Sequence, residues 1–171
     1  MSMFMSTICS LVLFAVTCET AHDFPPGFEF GVGSAAYQIE GGWNASDKGE
    51  SIWDRFTHTY PHLILNKDNG DVACDSYHKW QTDVDMVADI GANFYRFSIS
   101  WPRLLPTGFS NYISDDGKNY YNSLINRLLE KGIKPMITIY HWDLPQSLQD
   151  LGKIHELNNI KTVSKYLRVV V

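Results

Sequence analysis

Alternating strand-like and helix-like segments run through the second half of the sequence, and this order limits the folds open to the chain. Residues 93–101 (NFYRFSISW) and 134–140 (KPMITIY) are aromatic and β-branched, which predicts two strands. The segment between them predicts a helix that Asp116 caps and Gly132 ends. Its apolar face is formed by Tyr121, Leu124, Ile125 and Leu128.

The first half of the sequence repeats the same order. Residues 28–36 (FEFGVGSAA) predict a short buried strand with small residues, and a helix follows that Asp75 caps and Gly91 ends. The apolar face of this helix contains Tyr77, Trp80, Val84, Val87 and Ile90. Each helix is long enough to carry the chain back across a sheet, so the three strands are predicted to be parallel and the fold class is α/β.

Charge and length exclude some functions. The chain has 171 residues, enough for one compact domain, and its formal net charge is −5. Nucleic acid is therefore not an expected partner, because binding a phosphate backbone requires a basic surface. Of three cysteines only Cys74 lies clearly beyond the N-terminal segment, so no internal disulfide is expected.

The N-terminal segment predicts secretion. Residues 1–21 contain an apolar run at 8–18 that has the length of a signal-peptide core and is too short to span a bilayer. The alternative is a short membrane anchor. In a secreted chain the triplet Asn44-Ala45-Ser46 is an acceptor for N-glycosylation at Asn44.

Polar side chains follow the predicted strands. In a parallel α/β barrel the working residues lie at the carboxyl ends of the strands. Gln38 and Glu40 follow the first strand, and Arg96 lies within the second. The third strand is followed by His141, Trp142 and Asp143.

These residue types suit a polyhydroxylated ligand. An amide and an imidazole can each donate and accept hydrogen bonds with ring hydroxyls, and an indole can stack on a sugar face. Arg96 lies in an otherwise apolar strand and is expected to pair with a carboxylate, because an unpaired buried charge is costly. The residues alone leave open the alternative that all of them are satisfied polar groups of the core.

Several long motifs in one order resemble glycoside hydrolase family 1, the β-glucosidases and their relatives. They are FEFGVGSAAYQIEGG, DKGESIWDRF, GDVACDSYHKWQTDVDMV, GANFYRFSISWPRLLP, YYNSLINRLLEKGIKP and YHWDLPQSLQD. The resemblance covers residues 24–151 and fades after Gly152. Together with the predicted signal peptide (1–21), it divides the chain into the N-terminal part of the family's barrel (22–151) and a divergent tail (152–171).

The resemblance implies a (β/α)₈ barrel, here with about three βα units, and retaining hydrolysis of β-glycosides without a cofactor. It implies that Gln38 and His141 hydrogen-bond the hydroxyls of the glycone and that Trp142 lines the same subsite. Arg96 would hold the nucleophilic carboxylate, while Glu40 and Asp143 would be structural. No metal site is expected, because the histidines are irregularly spaced.

The family's two catalytic glutamates lie in Asn-Glu-Pro and Glu-Asn-Gly motifs, and neither sequence occurs in the 171 residues. We therefore expect this chain to be a truncated, inactive form. We also expect it to fold marginally, since three strands cannot close a barrel. Two other functions stay open: a non-catalytic glycan-binding or receptor-type module, and a product without a function of its own.

Overall fold

The computed structural model describes residues 24–152. Three strands form its sheet: β1 (Gly31–Gly33), β2 (Phe94–Ser98) and β3 (Lys134–Thr138). The helices are α1 (Ala36–Ile39), α2 (Ile52–Thr59), α3 (Ser76–Asp89), α4 (Trp101–Leu104), α5 (Asp115–Glu130) and α6 (Gln146–Asp150). Two 3₁₀ turns, Pro61–Leu63 and Leu65–Lys67, follow α2. The signal-peptide prediction and nearly all of the predicted tail lie outside these residues.

The sheet is parallel throughout, as predicted. Its order is β1-β2-β3, with Val32 opposite Tyr95 and Arg96 opposite Met136. Helices α3 and α5 make the two crossovers and pack on each other. The core lies between them and the sheet, and its largest fully buried side chains include Trp101, Leu105 and Leu128. This arrangement confirms the α/β class.

The strands are shorter than the sequence pattern indicated. The segment predicted as strand 93–101 leaves the sheet after Ser98, and Trp101 already begins helix α4. Pro102 stands in the first turn of that helix, where its fixed φ fits and its missing N–H costs nothing. Aromatic and β-branched residues therefore marked this segment as buried, but not all of it as strand.

The first strand is shorter and less buried than predicted. Only Gly31–Gly33 pairs, and both glycines are exposed, because β1 is an edge strand of the described sheet. A Cβ on Gly31 would overlap the ring of Phe94, so a side chain there would force that ring to move. The small residues of this segment do permit a close approach of neighbouring chain, as the sequence suggested.

Both predicted helix ends are confirmed, but the predicted caps are not. Gly91 and Gly132 follow α3 and α5 with φ of +74° and +72°, values that only glycine adopts without strain. The side chain that caps α5 is Ser114, which accepts from the backbone N–H of Gly117 at 3.0 Å, and Asp116 lies within the first turn instead. The carboxylate of Asp116 accepts from the hydroxyl of Tyr77, which draws it away from the helix end.

Asp75 occupies the cap position of α3 without capping it. Its φ is +58° and its side chain makes no hydrogen bond to the helix N–H groups. The carboxylate instead contacts Nδ1 of His78 at 2.6 Å and Nζ of Lys79 at 3.2 Å. In the described part of the chain no helix is long and apolar enough to cross a membrane.

Candidate ligand-binding cavity

A cavity of about 350 Å³ lies at the carboxyl end of the sheet. Its walls come from the segments that follow β1 and β3 and from helix α2. The lining residues are Ala35, Tyr37, Gln38, Trp53, His141 and Trp142. The volume is within the range of small-molecule sites, and aromatic walls with a few polar groups are typical of such sites. Gln38, His141 and Trp142, selected separately from the sequence, therefore share one cavity.

Gln38 reaches the cavity because the chain turns into helix α1 directly after β1. The backbone N–H of Ala36 donates to Oγ of Ser98 on β2 at 2.7 Å, which fixes the start of the turn. Ala35 and Ala36 are buried beneath it, while Gln38 is exposed. The amide is thus held on an anchored turn with its polar atoms free for a ligand.

His141 and Trp142 lie in the segment after β3. Trp142 is 67% exposed and has a φ of +66°. That backbone region is strained for a bulky residue, and such strain concentrates at functional sites. Nδ1 of His141 is buried without a hydrogen-bond partner among the described residues. The next residue, Asp143, is only 2% exposed, and its two carboxyl oxygens have no hydrogen-bond partner among the described residues. The anchoring role inferred for Asp143 from the sequence stays a prediction.

Arg96 lies on β2, the strand next to β3, and is half buried. Its Nε donates to Oγ1 of Thr138 on β3 at 2.5 Å. No carboxylate pairs with it within residues 24–152, so the partner expected from the sequence is not in this part of the chain. Because the side chain keeps contact with solvent, the unpaired charge is tolerated.

Glu40 belongs to a buried network behind the cavity. Its Oε2 accepts from Nε of Arg103 at 2.8 Å and its Oε1 accepts from the hydroxyl of Tyr121 at 2.7 Å. Nη2 of Arg103 donates to the carbonyl of Gly41 at 2.8 Å, and the guanidinium lies 4.1 Å from the ring centre of Tyr77. Glu40 is therefore structural, as the sequence analysis inferred.

Arg103 is the residue of this network that sequence reasoning missed. A charged residue among apolar ones, in SWPRLLP, is the signal that could have found it, because such a residue must be paired when buried. Burial acts to lower the pKa of Arg103 and is the largest single influence, but the charge and hydrogen bond of Glu40, together with Tyr121 and Tyr120, outweigh it and the pKa is raised. Burial also raises the pKa of Tyr121 well above its usual range, so this hydroxyl stays a donor.

Asp143 is the least satisfied charged group of the region. Burial, and then the charge of Glu40, raise its pKa to about 7, while nearby backbone N–H groups and Lys48 act in the opposite direction. Lys48 is already paired with Asp54 at 2.8 Å. Asp54 also closes the capping box of α2 with Ser51. Most of the polar groups behind the cavity thus pair with one another. Together with Asp143 they form a buried polar frame: Glu40, Lys48, Asp54, Arg103 and Tyr121.

Outside the cavity, Asn44 is exposed in a turn. No cluster of three metal-ligating side chains occurs in the described part of the chain.

Comparison with known proteins identifies the family. The sequence model of glycosyl hydrolase family 1 matches residues 20–171. Myrosinase 1 of Brevicoryne brassicae is 56% identical over 131 residues, which cover 77% of this chain and 28% of that protein. Human lactase/phlorizin hydrolase is 51% identical over 147 residues, covering 86% of this chain and 8% of that protein. The chain thus spans a small part of the curated relatives it matches.

Solved structures agree with the sequence match. An aphid myrosinase superposes with a TM-score of 0.84 at 52% identity, covering 86% of this chain and 32% of that one. A family 1 β-glucosidase from Thermotoga maritima gives 0.82 at 48% identity, with 86% and 33% covered. The three βα units therefore correspond to part of the (β/α)₈ barrel, which confirms the predicted fold. By its sequence match over residues 20–171 and by its fold, the chain belongs to glycosyl hydrolase family 1.

Proposed function

We propose that this chain provides the N-terminal part of the glycone-binding site of a β-glycosidase. The observation that carries the proposal is the shared cavity: Gln38, His141 and Trp142 come from two distant segments and line the same space of about 350 Å³. Membership of a family whose relatives are named as β-glucosidases and myrosinases supports a β-glycoside as ligand.

The chemistry of the cavity fits a sugar ring. The amide of Gln38 can donate to one hydroxyl and accept from another. In the imidazole of His141, Nδ1 is buried, which leaves Nε2 for a further hydroxyl. Trp142, exposed and held in a strained backbone, presents an indole face on which an apolar sugar face can stack.

Arg96 has a different role in this proposal. Its Nε is committed to Thr138, and its terminal nitrogens make no hydrogen bond or ion pair with residues 24–152. A guanidinium presents a planar fork that matches a carboxylate. We assign Arg96 to holding the nucleophilic carboxylate in its ionised form.

Retaining hydrolysis requires two carboxyl groups about 5–5.5 Å apart, one as nucleophile and one as acid and base. None of the six residues that line the cavity carries a carboxyl group. Glu40 and Asp143 lie behind it at 4% and 2% exposure and are out of reach of a ligand. We therefore propose that residues 24–152 bind the glycone without cleaving the glycosidic bond.

A glycan-binding module would also bind without turnover. The lack of a carboxyl group among the residues that line the cavity favours such a module as the second candidate. One set of measurements tests binding and turnover together. Binding of deoxynojirimycin, a ligand of a solved relative, is followed by NMR titration of the 171-residue chain, together with release of p-nitrophenol from its β-glucoside. We expect binding and no release above the blank.

Variants test whether the cavity is the site. Gln38→Ala and His141→Ala should each weaken binding at least tenfold. The matched controls Gln81→Ala and His62→Ala alter exposed residues outside the cavity and should leave it unchanged. Turnover by the chain would contradict the non-catalytic assignment, and equal binding by Gln38→Ala and Gln81→Ala would contradict the site.

We also propose that the chain is secreted and glycosylated at Asn44, in keeping with the apolar segment at 8–18 and the exposed turn that carries the triplet. Mass spectrometry of the chain recovered from the medium of a eukaryotic host checks both points. A mature N-terminus near residue 22 and a glycan on Asn44 are expected. Retention in the cell with Met1 intact would contradict secretion.

A further inference from the structure

A second, much smaller cavity lies on the buried side of the segments that form the ligand cavity. Its volume is about 10 Å³, and Glu40, Lys48, Asp54, Arg103 and Asp143 are among its lining residues. A space of this size admits about one water molecule. Its lining is polar, which is the condition for an internal site to be hydrated rather than dry.

Two of these side chains have buried atoms without partners among the described residues. They are Nη1 of Arg103 and both carboxyl oxygens of Asp143, on residues 1% and 2% exposed. Backbone N–H groups of His141 and Asp143 lie near the carboxyl group but not in hydrogen-bonding geometry. A buried polar group without a hydrogen bond destabilises the fold, and a charged one does so more, so a bridging partner is favoured.

The charges of the cavity favour a neutral ligand. Lys48 pairs with Asp54 at 2.8 Å, and Arg103 pairs with Glu40 at 2.8 Å. Only Asp143 then needs a donor, and Nη1 of Arg103 needs an acceptor. One molecule that both donates and accepts satisfies them together. In the described part of the chain these carboxylates do not form a metal-binding cluster.

We propose that this cavity binds one internal water molecule, which accepts a hydrogen bond from Nη1 of Arg103 and donates one to the carboxyl group of Asp143. The water connects helix α4 to the segment that carries His141 and Trp142. It therefore helps to hold that segment in place, including the strained backbone of Trp142. This inference does not depend on which ligand the larger cavity binds.

The first test is a crystal structure of the full chain at a resolution that shows ordered water. The expected result is one density peak at about 2.7–3.2 Å from both Nη1 of Arg103 and an oxygen of Asp143. A closed cavity with a direct Arg103–Asp143 ion pair would overturn the proposal. A rubidium soak that places an anomalous peak in the cavity would also overturn it, since the ligand would then be a cation.

Solution NMR provides a second test. Long-lived water should give cross-relaxation to the backbone amide protons of His141 and Asp143. The signal should persist in Asp143→Asn, whose amide can still accept from water, and disappear in Asp143→Leu, whose side chain offers no polar atom. Absence of the signal from both the unchanged chain and Asp143→Asn would overturn the proposal even if Asp143→Leu does not fold.

Discussion

Each of two short segments sends one side chain to the ligand cavity and another into the protein frame. After β1, Gln38 is exposed to the cavity, while Glu40, two residues later, is 4% exposed and paired with Arg103. After β3, Trp142 is 67% exposed and Asp143, the next residue, is 2% exposed. The difference teaches that the residues that fit a ligand and the residues that hold them are neighbours in sequence but face different environments.

Removing the charge of Glu40 from the frame should lower the free energy of unfolding more than any other change considered. In Glu40→Gln, Arg103 loses its only carboxylate partner among residues 24–152, and breaking a buried ion pair costs about 3–5 kcal/mol of the free energy of unfolding. Hydrogen exchange of amides in β2 and α5 measures the loss. The matched control is Glu29→Gln, which removes an exposed ion pair to Lys134 and should cost no more than about 1 kcal/mol. Equal losses in the two variants would remove the distinction between frame and surface.

The second-largest effect is the dependence of stability on pH through Asp143. Burial and the charge of Glu40 raise the pKa of Asp143 to about 7, against about 3.9 for an unfolded Asp. Between these values the folded chain binds more protons than the unfolded chain, so this contribution to stability falls as the pH rises. The fall amounts to about 4 kcal/mol at most.

Comparison of the unchanged chain with Asp143→Asn isolates the pH-dependent contribution of Asp143 to stability. The other charged groups that face Asp143 (Glu40, Lys48, Asp54 and Arg103) are present in both chains. Denaturant unfolding or hydrogen exchange at pH 4, 5, 6 and 7 should show a steeper decline in the unchanged chain. Parallel pH profiles would mean that folding does not shift the pKa of Asp143.

Removing one buried hydroxyl should lower the free energy of unfolding less than removing the charge of Glu40. In Tyr121→Phe, Oε1 of Glu40 loses a donor and the buried N–H of Ser100 loses its acceptor at 2.7 Å. The expected cost is about 1–3 kcal/mol. Tyr112→Phe is the control, because Tyr112 bonds Asp47 from an exposed position and the loss of its hydroxyl should change the stability less than the loss of the Tyr121 hydroxyl. A larger loss in Tyr112→Phe than in Tyr121→Phe would contradict the burial argument.

The smallest effect on stability is expected from the cavity side chains. Gln38→Ala removes an exposed side chain for which the structure shows no hydrogen bond, so the free energy of unfolding should change by about 0.5 kcal/mol or less. The same variant is expected to lose ligand binding. Thermal or hydrogen-exchange stability measured beside the binding titration separates the two properties. A loss of more than about 2 kcal/mol would place Gln38 in the frame instead.

The alternation of strand and helix patterns predicted the α/β class and the parallel sheet, and the glycines predicted where α3 and α5 end. These features are local: a period of apolar residues or a glycine at positive φ depends on few neighbours. The polar side chains after each strand were also visible, because parallel strands bring their carboxyl ends together.

What the sequence by itself determined is therefore the order of the elements and the set of polar residues near one end of the sheet. Only the tertiary structure decided which of those residues reach the cavity and which are buried. It also decided that Arg103 pairs with Glu40 across 63 positions and that Ser114, not Asp116, caps α5. The physical reason is that burial and long-range pairing depend on what packs against a side chain, and a period along the chain carries no information on that.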